Sequence, residues 1–289
     1  MVITRFLYAL IKLHWGFTLR IKGATAAQPS LPAPSPTTIL GAFAYPMLRI
    51  LGIRHKTPEV STSTLTKGGV ITPIFNCFIK AAVTASAGLD PATITGLASH
   101  SEISRIIAFP YKGGHQIDVA LKSPIETRGI TRIAPVQAVG STYGPGALLH
   151  IGAVIDLGKL AECLNVSEAY IDSIGLKSCY GISGIGSKEG IVSVIKAAYG
   201  EPKIEHGEFH TIAYVPENAV EVLDKELFMR VQLWDLNYKL STYYIPVRYM
   251  LSSNLLAPPI KEPLSTLRTR SPFKVFYLSE IPEFKVVGS

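Results

Sequence analysis

Cysteine is scarce in this chain. Its 289 residues hold three, Cys77, Cys163 and Cys179, far apart and without a C-x-x-C spacing. That set excludes a zinc ribbon or finger and offers no disulfide framework, so the expectation is three small buried hydrophobes. Charge is scarce as well: 17% of residues are ionic against 47% apolar, and mean hydropathy is +0.28. Long uninterrupted apolar runs are nevertheless missing. The longest charge-free stretch, residues 23–48, contains Pro29, Pro32, Pro34, Pro36 and Pro46 and cannot form one spanning helix. Arg5, Lys12 and Arg20 break the first apolar run, which argues against a signal peptide. The expectation is a soluble, cytoplasmic protein, without a membrane role, whose apolar excess covers contacts with partner subunits.

Catalytic signatures are missing too. There is no H-E-x-x-H, G-x-S-x-G or metal-binding carboxylate pair, and no cofactor motif. The glycine run at 181–190 is no phosphate loop, because Ser187 precedes Lys188 where Gly-Lys-Ser/Thr is needed. Nor is it a dinucleotide fingerprint: Gly190 comes one position late, and a helical pattern precedes the glycines where a strand should. It reads as a tight helix-to-strand connection carrying one cation, Lys188. Among seven histidines, His115 with Tyr111 and Lys112 has the groups a metal-free ribonuclease uses, a base and a cation for the scissile phosphate; His14 is an alternative base.

What the chain does have is a net charge of +7, which favours polyanionic partners although the cations are spread out. Residues 2–21 read as one long strand. Leu7, Ala9, Ile11, Leu13 and Trp15 fall on one face, and Phe6, Tyr8, Leu10, Lys12 and His14 on the other. The second face suits either stacking on nucleic-acid bases or burial of a central strand covered on both sides. A Pro- and Ala-rich connection with Arg20 and Lys22 follows. Ser35 is then placed as N-cap and Pro36 as first helical residue, with the Thr37 and Thr38 hydroxyls beside the N–H groups of a small anion site. Pro46 should kink or end that helix.

Residues 71–83 fit a strand or a buried helical segment equally. Residues 104–146 read as a basic β-excursion carrying Arg105, Lys112, Lys122 and Arg128 and ending in the turn Thr142-Tyr143-Gly144-Pro145-Gly146. Residues 148–155 return as a strand. Helices are expected over 156–164 and 167–179, and strands at 191–195, 209–215, 231–240, 243–247 and 273–278. The order gives an α+β, βαββαβ-like plan of the ferredoxin-like or RRM-like kind over 1–215, with a β-rich C-terminal region over 216–289.

Three patches carry a family resemblance: Leu13-His14-Trp15-Gly16-Phe17, Pro34-Ser35-Pro36-Thr37-Thr38-Ile39-Leu40-Gly41-Ala42, and Ile185-Gly186-Ser187-Lys188-Glu189. Together they resemble the fifth CRISPR-associated (Cas) protein family in its archaeal type I-A form, a RAMP-superfamily subunit of the Cascade antiviral surveillance complex. The match is clearest over residues 1 to 52. The resemblance implies a subunit, non-catalytic in most subtypes, that grips the 5′ handle of the CRISPR RNA (crRNA) and caps the backbone of repeated Cascade subunits. Residues 104–146 would be its protruding hairpin, the thumb. Implied protein partners are the repeated backbone subunit and the large subunit, with the small subunit and the helicase-nuclease as further candidates. One bacterial subtype of the family is itself the pre-crRNA endoribonuclease; type I-A systems have a separate processing enzyme, which favours binding. Family members often carry an arginine before the Ile-Gly-Ser-Lys-Glu core. Gly184 stands there in this chain, leaving Lys188 as the cation of that turn. The RNA-binding set is therefore Lys12, His14, Arg20, Lys22, Ser35, Thr37, Thr38, Arg105, Lys112, Lys122, Arg128 and Lys188.

Overall fold

Alternation along the first strand sets the architecture. A computed structural model of the chain describes residues 3–19, 27–28, 30–52, 65–66, 69–70, 75–93, 96–100, 104–106, 136–139, 141–186, 190–223, 228–250, 255–257 and 266–289; at 27–28, 65–66, 69–70, 99–100, 104–106, 136–139, 248–250 and 255–257 only the backbone is described. Strand β1 spans Thr4–Leu13. Leu7, Ala9, Ile11 and Leu13 point into a core shared with the helices, and each is essentially inaccessible. The strand stops at Leu13, which corrects the expectation of one strand over 2–21. Gly16 has φ +149° and lies against the Thr142 carbonyl where a Cβ would collide, so the chain turns and Gly16–Phe17 pairs with Ser141–Tyr143 in a second sheet.

Ser35 caps helix α1, Pro36–Ile50, accepting the Thr38 N–H with Pro36 at the first position, as expected. Of the two outcomes expected at Pro46, an end of the helix does not occur: α1 continues through it to Ile50. The proline removes one backbone donor, while its buried ring packs against Gly181. Over residues 71–83 the structure shows both expected alternatives in sequence: helix α2, Phe75–Ala81, runs directly into strand β2, Ala82–Leu89. Strand β3, Leu148–Asp156, returns beside β1. Helix α3, Leu157–Leu164, is capped by Asp156, and helix α4, Glu168–Tyr180, by Ser167. Strand β4, Val192–Gly200, closes the unit. The resulting sheet has the order β4-β1-β3-β2 with every neighbouring pair antiparallel. Arg5 clamps α4 to this sheet through Asp172 at 2.7 Å, and Tyr199 on β4 donates to the same carboxylate at 2.8 Å.

The C-terminal strands differ from the expected set. Residues 209–215 are not one strand. Glu208–Phe209 and Val215–Pro216 are short pieces, and between them Thr211 bonds both the N–H and the C=O of Lys285. Residues 231–240 are not one strand either. Strand β5, Met229–Trp234, turns into strand β6, Leu240–Ile245, because Asp235 accepts from Asn237 N–H, Lys239 N–H and the Ser241 hydroxyl. Strand β7, Lys274–Leu278, falls where expected and pairs with a strand the sequence reading missed, β8, Ile281–Gly288. The β7–β8 hairpin packs Phe276, Leu278, Ile281, Phe284 and Val286 onto Phe6, Tyr8, Val154 and Ala198. The face of β1 opposite the helices is thus buried along half its length.

The cysteine expectation is also corrected. Cys77 on α2 and Cys163 on α3 form a disulfide that closes a sequence separation of 86. Spacing along the chain says nothing about α2 and α3 packing side by side, which is what brings the two thiols together. Cys179 is the free, buried cysteine, and burial pushes its thiol up to about 12, so it is inert. No helix among the described residues is long and apolar enough to cross a membrane, and among them no group of His, Cys, Asp and Glu is arranged to hold a metal ion.

Candidate nucleic-acid interface

The outer face of the sheet divides in two. On the half nearer the start of β1, Phe6 and Tyr8 lie beneath Phe284 at ring distances of 6.3 and 5.5 Å. Gly152 makes room for these rings, since a Cβ there would run into Phe284 and Phe6. Beside them a buried chain runs from Tyr8 through His150 to Asp90, both links being 2.7 Å. A carboxylate only accepts, so His150 Nε2 donates to Asp90, and the other ring nitrogen accepts from the Tyr8 hydroxyl. Burial lowers the His150 pKa, opposed by the Asp90 hydrogen bond, so the ring is neutral in this arrangement. Burial likewise raises Tyr8. The constellation looks like an acid–base relay, but His150 is 3% exposed under a stacked Phe284. It is a satisfied core network.

The other half is uncovered. Past the partly buried Leu10, Lys12 and His14 are exposed, with Ser193 of β4 opposite Lys12. The His14 imidazole bonds the Ser193 hydroxyl at 2.8 Å. Three chain segments meet here through backbone hydrogen bonds: Leu13 N–H to Ala147 O, Gly144 N–H to Trp15 O, and His14 N–H to Ile191 O. The aromatic rings of Trp15 and Tyr143 lie 5.5 Å apart at the same place. The glycine-rich turn joins the assembly from the other side. Gly184 bridges to Ile191, and Gly186, at φ +73°, sits against Thr18 and Leu19 with no room for a Cβ. The result is a ledge of hydrogen-bonded turns with a cation, an imidazole and three hydroxyl-bearing or aromatic neighbours, Ser193, Trp15 and Tyr143. Such a surface can hold phosphate and pack against bases.

The first resemblance patch and the described start of the third, Ile185 and Gly186, therefore lie close together, with Gly186 against Thr18 and Leu19. The second does not join them at this ledge. Pro36 lines a cavity of about 160 Å³ with Thr84, Ser86, Tyr214, Asp235 and Asn237, at the β2 edge, whereas β4 is the opposite edge of the sheet. There Ser35 is 2% exposed and its hydroxyl engages Thr37 Oγ1, Thr38 Oγ1 and Thr38 N–H. Those hydroxyls are spent on capping, and a carboxylate shares the cavity, so this turn is built as a helix start. Arg20, Lys22, Lys112, Lys122, Arg128 and Lys188, and the alternative catalytic set Tyr111, Lys112 and His115, lie outside the described residues, as does most of the 104–146 excursion. Arg105 is seen only as backbone, in Ser104–Ile106 opposite Gln137. Ser193, Trp15 and Tyr143 were absent from the expected binding set. The aromatic residues of the first patch and of the turn were visible in sequence, but only the fold joins them.

No protein-family model matches the sequence. Curated relatives do. The chain is 28% identical over 243 residues, covering 83% of itself and 85% of the relative, to the CRISPR system aCascade subunit Cas5 1 of Saccharolobus solfataricus. It is 27% identical over 244 residues, with the same coverage, to CRISPR-associated protein Cas5 3 of that organism. Over most of its length the chain is similar to proteins named Cas5. Its fold is also similar to that of a CRISPR protein from Archaeoglobus fulgidus, with a TM-score of 0.52 and 16% identity over 99% of this chain and 98% of that one. The ledge around Lys12 and His14 thus includes the first of the three patches that carried the resemblance, with residues flanking the third, Gly184 and Ile191, bonded to it.

Proposed function

We propose that this protein is a member of the Cas5 family and a non-catalytic, crRNA-binding subunit of a type I-A-like Cascade effector complex, gripping the 5′ handle and capping the repeated-subunit backbone. The β1–α1–β2–β3–α3/α4–β4 unit is its ferredoxin-like RAMP domain, a reading supported by the β4-β1-β3-β2 antiparallel order. The single observation behind the binding role is the uncovered half of the sheet, where exposed Lys12 and His14 sit on a hydrogen-bonded ledge beside Trp15 and Tyr143. Lys12 supplies a phosphate contact, and the sheet surface supplies the platform. Arg105, Lys112, Lys122, Arg128 and Lys188 extend the basic track in this proposal.

The test uses purified protein and end-labelled CRISPR repeat RNA in chelator, resolved on native and denaturing gels from the same reaction. The expected result is a retarded, intact band that disappears when the handle sequence is scrambled and weakens with Lys12→Glu. Cleavage at the handle boundary with a 2′,3′-cyclic phosphate end would replace the capping role by that of a metal-independent endoribonuclease.

A further inference from the structure

Strand β4 forms one margin of the main sheet: it pairs with β1 along one side. Among the described residues nothing pairs with its other side. A nine-residue strand with an open side presents a row of backbone donors and acceptors that only another extended polypeptide can satisfy in full. The side chains along it are unusual for a solvent-facing edge. Ile191 and Ile195 are each 54% exposed, and Ile204, just beyond the strand, is 50% exposed. At Leu10/Ile11 the register shifts so that Leu10 faces Lys196 and Ile11 faces Val194, leaving Ile195 as the extra residue of a bulge.

Natural edges are protected by charge and by bulges. Here the bulge places an isoleucine outward instead of a charge, and β4 carries one ionic side chain, the exposed Lys196. That lysine decides between occupants. In a second copy of this chain, the antiparallel register that overlaps all nine residues sets Lys196 against Lys196, and like charges directly opposite are destabilising. A strand with an acidic residue opposite Lys196 and apolar residues against Ile191 and Ile195 meets the same edge favourably.

We infer that the free edge of β4 is a docking site for an extended apolar–acidic segment of a partner protein, added as a further strand to the sheet. This contact borders the RNA ledge at Ile191 and Ser193, and the nature of the cross-linked molecule tells the two apart; its failure would leave RNA binding to be judged on its own gels.

The experiment isolates the tagged full chain with whatever it assembles with, and compares it with the chain alone by amide hydrogen exchange. In parallel, a benzophenone amino acid at position 195 is photolysed in the assembled state. The expected result is that amides within 193–199 exchange at least an order of magnitude more slowly in the assembly, with a cross-link from 195 to another polypeptide. Lys196→Glu should reduce recovery of that polypeptide severalfold while leaving thermal unfolding of the isolated chain unchanged. A cross-link to RNA, a cross-link to a second copy of this chain, unchanged exchange in β4, or recovery of the chain without any other polypeptide would each overturn the inference.

Discussion

One strand, β1, serves two opposite purposes on a single face. Near its start Phe6 and Tyr8 are sealed beneath the β7–β8 hairpin; near its end Lys12 and His14 stand in solvent. The alternation is the same throughout, and so is the register with β3, while the pairing with β4 shifts by one residue at the Leu10/Ile11 bulge. What differs is the reach of a hairpin contributed more than two hundred residues later. The covered half is built for cohesion, with Tyr8, His150 and Asp90 hydrogen-bonded to one another. The open half leaves Lys12 and His14 exposed, since among the described residues the C-terminal hairpin does not reach them. Stability and recognition are thereby separated along one strand, and substitutions should separate in the same way.

The sharpest break of the comparison is Phe284→Ala, which empties a site touching Phe6, Tyr8 and His150. It should cost about 3–5 kcal/mol in denaturant unfolding, whereas Lys12→Glu and His14→Ala should stay within about 0.5 kcal/mol. Comparable losses in both halves would mean that the open half is not open.

Next in size is the disulfide. Replacing Cys77 and Cys163 by serine releases a closed loop spanning a sequence separation of 86. The expected cost is about 2–4 kcal/mol, read as a lowered unfolding midpoint relative to the oxidised protein. Because the bond lies in the helical layer, RNA affinity of the folded double variant should not change.

A pH scan should sharpen the contrast further. Burial lowers the folded-state pKa of His150, which faces Tyr8, Asp90, Glu283 and Lys196. The unfolded chain, with an ordinary imidazole near 6.5, then binds more protons in mild acid. This contribution is therefore fully present above about pH 6.5 and is lost as pH falls below it. His150→Gln should flatten that decline in stability.

The smallest expected effect in free energy belongs to the open half. Lys12→Glu should raise the Kd for handle RNA about tenfold, equivalent to 1.4 kcal/mol. It should also reduce the slope of log K against log salt by about 0.7 if one phosphate contact on single-stranded RNA is lost. An unchanged slope would remove Lys12 from the binding surface.

Much of the fold was legible because local rules were obeyed. Ser35 with Pro36, Asp156 and Ser167 mark helix starts by capping chemistry, and the inward residues of β1 and β3 follow a strict period of two. Legibility failed where a distant partner set the outcome. The end of β1 depends on Gly16 lying against Thr142, and the division of 231–240 depends on Asp235 organising a turn. The binding set shows the same limit. Lys12 and His14 were visible as alternating polar residues, but Ser193 has no local signature, and the buried Ser35 hydroxyl engages Thr37 and Thr38 as a cap.

The amino-acid sequence by itself determined the helix starts, the strand periodicity, the glycine turn after α4 and the family resemblance, because these depend on neighbours within a few residues. The tertiary structure alone decided three things: that Cys77 meets Cys163, that Phe284 and not a nucleobase covers Tyr8, and that among the described strands none pairs with the outer side of β4. Each depends on packing between segments far apart in the chain. Which surfaces are spent on cohesion and which are left for partners follows from that packing, since a side chain's own chemistry does not specify what will cover it.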